Sequence, residues 1–70
     1  MQTLIEHTTY TITKKTPNYI LLNNFYMLTR EELEEDGINF DKLKVGDQIE
    51  EEIHYEKEVL FTNLKVVKKS

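Results

Sequence analysis

His7 and His54 are the side chains of this chain that change charge near neutral pH, so acid–base or metal chemistry has to start with them. Neither has a second histidine or a cysteine at a ligand spacing, and the chain contains no cysteine. His54 stands beside Glu52 and Glu56 on a face that alternation predicts to be exposed, a weak setting for a divalent ion. A solvated surface histidine is the expectation for both. Residues 41–52 have the spacing of a calcium loop, with Asp41 first, Gly46 sixth and Glu52 twelfth. The third and fifth positions are Leu43 and Val45, which offer no side-chain oxygen, so the match fails. Carboxylates are plentiful, but nothing converges a pair of them on a pocket. There is no Ser-His-Asp order, no glycine-rich phosphate loop and no nucleophilic cysteine. The residues therefore predict no enzyme, no metal and no cofactor.

The charge balance narrows the partners. Thirteen acidic residues against nine Lys and Arg give a net charge of -4 over 70 residues. That opposes strong binding to a phosphate backbone, which needs clustered bases. Acids crowd Glu31 to Asp36 and Glu50 to Glu58, while bases sit at Lys14, Lys15, Lys65, Lys68 and Lys69. Runs of this kind are solvated faces that keep a small protein soluble. The longest apolar run, Tyr19-Ile20-Leu21-Leu22, is far too short to span a bilayer. The opening Met1-Gln2-Thr3-Leu4-Ile5-Glu6 has no basic region and no signal-type apolar core, which predicts a cytosolic protein. A chain of this length has room for one domain, residues 1–70, with a thin stability margin.

The elements that must position these side chains are mostly strands. Leu4 to Lys15 is rich in threonine and places Leu4, Thr8, Tyr10 and Ile12 on one side, as a long curved strand does. Thr16-Pro17-Asn18 breaks it. Tyr19 to Leu22 is a second strand. Asn23-Asn24 tolerates left-handed φ and is a turn candidate. A short third strand then covers Phe25 to Leu28, or else one bent strand runs from Tyr19 to Leu28. Thr29 and Glu32 have the spacing of a capping box, and Leu28 and Leu33 that of a hydrophobic staple. Gly37 is placed to close the helix in the left-handed conformation, with Ile38 packing back on Leu33. These signals predict a helix over Arg30 to Asp36. Ile38, Phe40 and Leu43 anchor a connector. Gly46-Asp47 is a turn that launches the strand Gln48 to Tyr55. In that strand Ile49, Ile53 and Tyr55 point one way and Glu50, Glu52 and His54 the other. Glu51 falls on the apolar side, at the rim or at a bulge. Glu56-Lys57-Glu58 is a hairpin loop, and Val59 to Val67 is the last strand. On it Leu60, Leu64 and Val66 fit the core, while Val59, Phe61 and Val67 point outward with Asn63 and Lys65.

Strand, strand, strand, helix, strand, strand is the order of a five-stranded antiparallel barrel with one short helix between the third and fourth strands. The stretch Phe40-Asp41-Lys42-Leu43-Lys44-Val45-Gly46-Asp47-Gln48-Ile49 resembles the L-x-V-G-D-x-I/V segment that precedes the fourth strand of many oligonucleotide/oligosaccharide-binding (OB-type) barrels. The resemblance implies a mainly β, OB-like small barrel. Periplasmic copper-binding barrels carry a similar segment, but their Met, Trp and His ligand set is missing here, so no metal site is carried over.

Three functions from different classes remain. The leading expectation is a non-catalytic module, a small accessory inhibitor or regulator, that binds a protein partner through Tyr19, Val59 and Phe61 or through Glu31, Glu34 and Glu35. Self-association through the last strand belongs with it, because exposed strand edges pair. The second is single-stranded nucleic-acid binding, with Tyr10, Tyr19 and Phe61 stacking on bases and Lys14, Lys15 and Lys65 on phosphates. The third is an acidic inhibitor that imitates nucleic acid with Glu31, Glu32, Glu34, Glu35, Asp36, Glu50 and Glu52.

Overall fold

The computed structural model describes residues 3–68. The elements run β1 (Leu4–Lys15), β2 (Tyr19–Leu22), β3 (Tyr26–Thr29), α1 (Arg30–Glu35), a 3-10 turn (Phe40–Lys42), β4 (Gln48–Tyr55) and β5 (Val59–Lys68). Every strand pair is antiparallel, and the strands lie in the order β3-β2-β1-β4-β5.

The long strand β1 belongs to two ladders. Leu4 to Thr11 pair with β4, from Leu4 opposite Tyr55 to Thr11 opposite Gln48. Ile12 to Lys15 pair with β2, with a register shift between Ile12 and Lys14. The extra residue is Thr13, and a bulge of this kind bends the strand and increases its twist. Its hydroxyl donates to the Leu21 carbonyl at 3.2 Å and accepts from the Asn24 amide at 3.0 Å, which ties the bulge to the next hairpin. Asn23 (φ 51°) and Asn24 (φ 67°) both take left-handed backbone within a three-residue hairpin loop, where the Phe25 amide donates to the Leu22 carbonyl at 3.0 Å. That turn settles Tyr19 to Leu28 as two strands.

The helix forms as its caps predict. Thr29 accepts from the Glu32 amide, and the Glu32 carboxylate accepts from the Thr29 amide in return. Gly37 (φ 78°) donates its amide to the Glu34 carbonyl, and Ile38 donates to that of Leu33, the two bonds of a Schellman ending. Leu33 and Leu28 are both buried. The core comprises Ile12, Ile20, Leu22, Leu28, Leu33, Ile38, Phe40, Leu43 and Ile49, with Tyr10, Tyr26, Leu64 and Val66 packed on its margin. Phe40 is fully buried, with Lys15 Nζ 4.8 Å and Arg30 Cζ 4.3 Å from its ring centroid.

The sheet curls into a half-barrel and does not close. Among the described residues β3 and β5, the two ends of the strand order, share no ladder. The physical reason is what occupies the gap. The Asp36 carboxylate accepts the Leu64 amide at 2.9 Å, so the end of α1 takes a hydrogen bond that closure would give to a strand. A cleft of about 300 Å³ remains there, lined by Gly37, Ile38, Leu43, Leu64 and Val66 among others.

Beyond this core the sheet continues unsupported. The molecule measures 41 × 19 × 19 Å, and its radius of gyration is 12.6 Å. A compact chain of this length has a radius of about 11 Å. The excess is a three-stranded extension of β1, β4 and β5 past Ile49. Leu60 lies on it and is exposed, contrary to the expectation of a core position. The strand has already left the core there, and Leu60 is the extra residue of a bulge between Val59, opposite Tyr55, and Phe61, opposite His54.

Asp47 is the one fully buried charged residue among those described. Its carboxylate accepts the Lys44 amide at 3.1 Å, and its own carbonyl accepts the Ile12 amide at 2.9 Å. Asp47→Ala should cost about 1–3 kcal/mol by removing the buried acceptor of the Lys44 amide. For a domain of this size that is a Tm lower by about 4–8 °C per kcal/mol in a thermal melt. Asp47→Asn keeps an acceptor oxygen and should lose less.

Candidate functional site

The three-stranded extension brings together chemistry from sequence positions far apart. On one face β4 places Glu50, Glu52 and His54 at alternate positions. The register sets His7 opposite Glu52, and Ile5 and Phe61 on either side of His54. Alternation and antiparallel register together make this a single surface.

Its polar groups bond one another. His54 Nε2 lies 2.5 Å from Glu52 Oε1, and since a carboxylate only accepts, that nitrogen carries the proton. The His54 ring stacks on Phe61 with centroids 4.2 Å apart and planes 15° from parallel. His7 Nδ1 is 3.3 Å from Glu50 Oε1 and 3.7 Å from Glu52 Oε2. Lys65 Nζ reaches the same Glu50 oxygen at 3.3 Å. The hydrogen bond from His54, with a smaller contribution from Asn63, holds the Glu52 carboxyl below its ordinary range.

The far end of the extension is apolar. Leu4 and Ile5 are each 51% exposed, Val59 61%, Leu60 52% and Phe61 50%. Val59 is opposite Tyr55 and Phe61 opposite His54, adjacent residues of β4, so the apolar surface wraps both faces of the sheet at its tip. The outer edge of β5 is capped by Asp36 at Leu64.

The opposite face carries an aromatic cluster at the margin of the core. Tyr10 meets Phe25 at 6.3 Å and Tyr26 at 5.2 Å, both edge-on. The Tyr26 hydroxyl donates to Glu51 Oε2 at 2.9 Å, so Glu51 is a rim residue with a partner. Burial, then the Glu51 carboxylate, push the Tyr26 phenol far above its ordinary value and raise that of Tyr10 as well. The Glu6 carboxylate, accepting from the Tyr55 hydroxyl, raises Tyr55.

The structure gathers some of the residues that the sequence singled out and separates others. Val59 and Phe61 share the tip but not a face, contrary to the expectation that both point outward together: a bulge sets Val59 opposite Tyr55 and Phe61 opposite His54. Tyr19 lies on β2, in the ladder at the other end of β1, where Ile20 pairs with Lys15. Phe61 belongs to the register of Ile5, ten residues of β1 away, a span of up to about 33 Å. Tyr10 and Phe61 are on opposite faces of the sheet, Tyr10 in register with Ile49 and Phe61 with His54. Lys14 is exposed, whereas the Lys15 ammonium donates to the carbonyls of Phe40 (2.9 Å) and Leu43 (2.7 Å). Glu31, Glu34 and Glu35 form an exposed helix face, on which Glu34 pairs with Arg30 at 3.4 Å.

The grouping of His7 with Glu50 and Glu52 escaped the sequence reading, because 45 positions separate His7 from Glu52. The usable signal was the antiparallel pairing of the first strand with the fourth. No described helix is long and apolar enough to cross a membrane. The chain matches no protein-family model, no curated protein and no solved structure.

The raised tyrosines have a consequence for stability. The unfolded chain ionises its phenols around the ordinary value of 10.0, before the folded chain does. Folding stability is therefore intact below pH 10.0 and falls as the pH climbs above it. Tyr26→Phe should flatten that alkaline decline in urea unfolding followed against pH. At neutral pH it should cost about 1 kcal/mol, the hydrogen bond to Glu51.

Proposed function

We propose that this chain is a non-catalytic binding module that acts on a protein partner through the tip of its three-stranded extension. The observation that carries the reading is the group of five apolar side chains at the tip, each at least half exposed. Apolar patches of this kind on a monomer mark interaction sites, and an aromatic such as Phe61 is the usual anchor of one. A polar margin surrounds them in His7, Glu50, Glu52 and Lys65, the arrangement of an interface core with its rim. The edge of β5 before Leu64 also suits strand addition, by a partner segment or by a second copy of this chain.

Within this reading the acidic face of α1, with Glu31, Glu34 and Glu35, is a second and separate surface. A small accessory inhibitor or regulator is the kind of protein that such a module makes. The OB-like assignment rests on the segment Phe40 to Ile49 and on the strand order. A cytosolic setting suits a domain without cysteine. Nucleic-acid binding is disfavoured by the net charge of -4 and by Tyr10 and Phe61 facing opposite ways.

Immobilised chain should capture a protein that Phe61→Asp no longer retains and that a Glu31→Lys, Glu35→Lys double variant still retains. In low-salt buffer, labelled single-stranded DNA and RNA should show no change in fluorescence anisotropy. Oligonucleotide binding that falls steeply with salt, or capture indifferent to Phe61, would overturn the reading.

A further inference from the structure

We propose that His7, Glu50 and Glu52 form a binding site for a divalent first-row transition ion, with zinc as its representative. Their donor atoms all lie within 4.8 Å of one another. His7 Nδ1 is 3.3 Å from Glu50 Oε1 and 3.7 Å from Glu52 Oε2. A zinc ion bound to nitrogen and oxygen at about 2.1 Å in tetrahedral geometry holds neighbouring donors about 3.4 Å apart. The two distances from His7 already stand near that spacing, and the two carboxylate oxygens, within 4.8 Å of each other, need at most a small approach.

The ladder explains why. Glu50 and Glu52 are alternate residues of one strand, so both project from the same face. His7 is directly opposite Glu52 on the neighbouring strand. The backbone thus fixes all three origins, and the side chains need little ordering. Glu52 is also held from behind. Its Oε1 accepts from His54 Nε2, which leaves Oε2 turned towards His7, and the His54 ring is itself kept flat by Phe61. A hydrogen-bonded carboxylate ligand with an oriented partner is the usual outer support of a metal centre. His54 is accordingly a positioning residue.

The donor set selects the ion. One imidazole with two carboxylates suits zinc and its neighbours, whereas magnesium and calcium are held by oxygen ligands in larger number. Two open positions remain on a tetrahedral or larger shell for water or for a group from a partner. Binding needs the lone pair of His7 Nδ1, so a proton that this nitrogen directs at the carboxylates moves to Nε2 or is released to water. The ion also displaces the Lys65 ammonium from Glu50, because both cations need the same oxygen.

Titration calorimetry of the intact chain with zinc chloride tests the site, with magnesium chloride as the comparison. The expected result is one zinc per chain in the micromolar range and no saturable magnesium binding. His7→Ala and Glu52→Gln should each weaken zinc by at least about 10-fold, and His54→Phe by about 10-fold through lost orientation. Lys65→Met should tighten it by up to about 5-fold, since a competing surface cation is gone. Heteronuclear NMR should show His7 Nδ1 moving on addition of zinc while His54 keeps its proton on Nε2. All of these positions lie outside the core, and circular dichroism verifies that each variant is folded. Absence of saturable zinc binding, or binding unchanged by His7→Ala, overturns the proposal and leaves the cluster as a network of ion pairs.

Discussion

One bend holds this molecule together. At Ile12 and Thr13 the first strand leaves its ladder with β4 and joins β2. The turn at Gly46 and Asp47 grips the bend from outside: the Gly46 amide donates to the Ile12 carbonyl and the Ile12 amide donates to the Asp47 carbonyl, both at 2.9 Å. Gly46 (φ 99°) supplies the left-handed backbone that lets the turn approach, and the buried Asp47 carboxylate keeps the turn closed through the Lys44 amide. Flatten the bend and the two ladders become one open sheet with nothing to enclose. With it in place, Ile12 faces Ile20, Leu22 and Ile49 from both ladders, and Phe40 closes the space.

The same bend divides the protein into parts of different character. On its concave side a small half-barrel buries nine apolar residues beneath α1 and the 3-10 turn. On the other side β1, β4 and β5 run on with no described element layered over either face. Three antiparallel strands are close to the minimum that stands in water, and usually one face is covered. Here the extension depends on cross-strand pairs: His7 with Glu50 and Glu52, His54 on Phe61, Tyr55 with Glu6. Exposed ion pairs contribute little each, so the extension is the weaker part of the fold by construction. Weakly held, apolar at its tip and rich in donors, it is where binding is placed in our reading. Regions that act by ligand contact are drawn from the low-stability end of a structure.

The features legible in the sequence are those whose cause lies within a few residues. The capping box at Thr29 and Glu32, the Schellman ending at Gly37 and the Gly46-Asp47 turn each need only a short segment, and each forms as read. Alternation along β4 correctly divides Ile49, Ile53 and Tyr55 from Glu50, Glu52 and His54. Closure of the barrel was not legible, because it depends on whether Asp36 or a strand takes the Leu64 amide, 28 positions away. Leu60 has the pattern of a core residue, but pattern reports a face and not how far along a strand the core extends. Lys15 reads as a surface base, yet its ammonium serves the carbonyls of the connector beside Phe40. The cluster at His7 is likewise a product of register, which a local reading does not contain.

Native-state hydrogen exchange of the isolated chain tests the division into a packed half-barrel and an unsupported extension most directly. We expect the amides of Ile53, His54, Phe61 and Asn63 to exchange through local opening at free energies well below those of Ile12, Ile20, Leu22 and Ile49, whose protection should approach the global stability. Equal protection along the whole of β4 and β5 would contradict this account. The extension would then unfold only with the core, and the exposed tip would be part of one rigid unit.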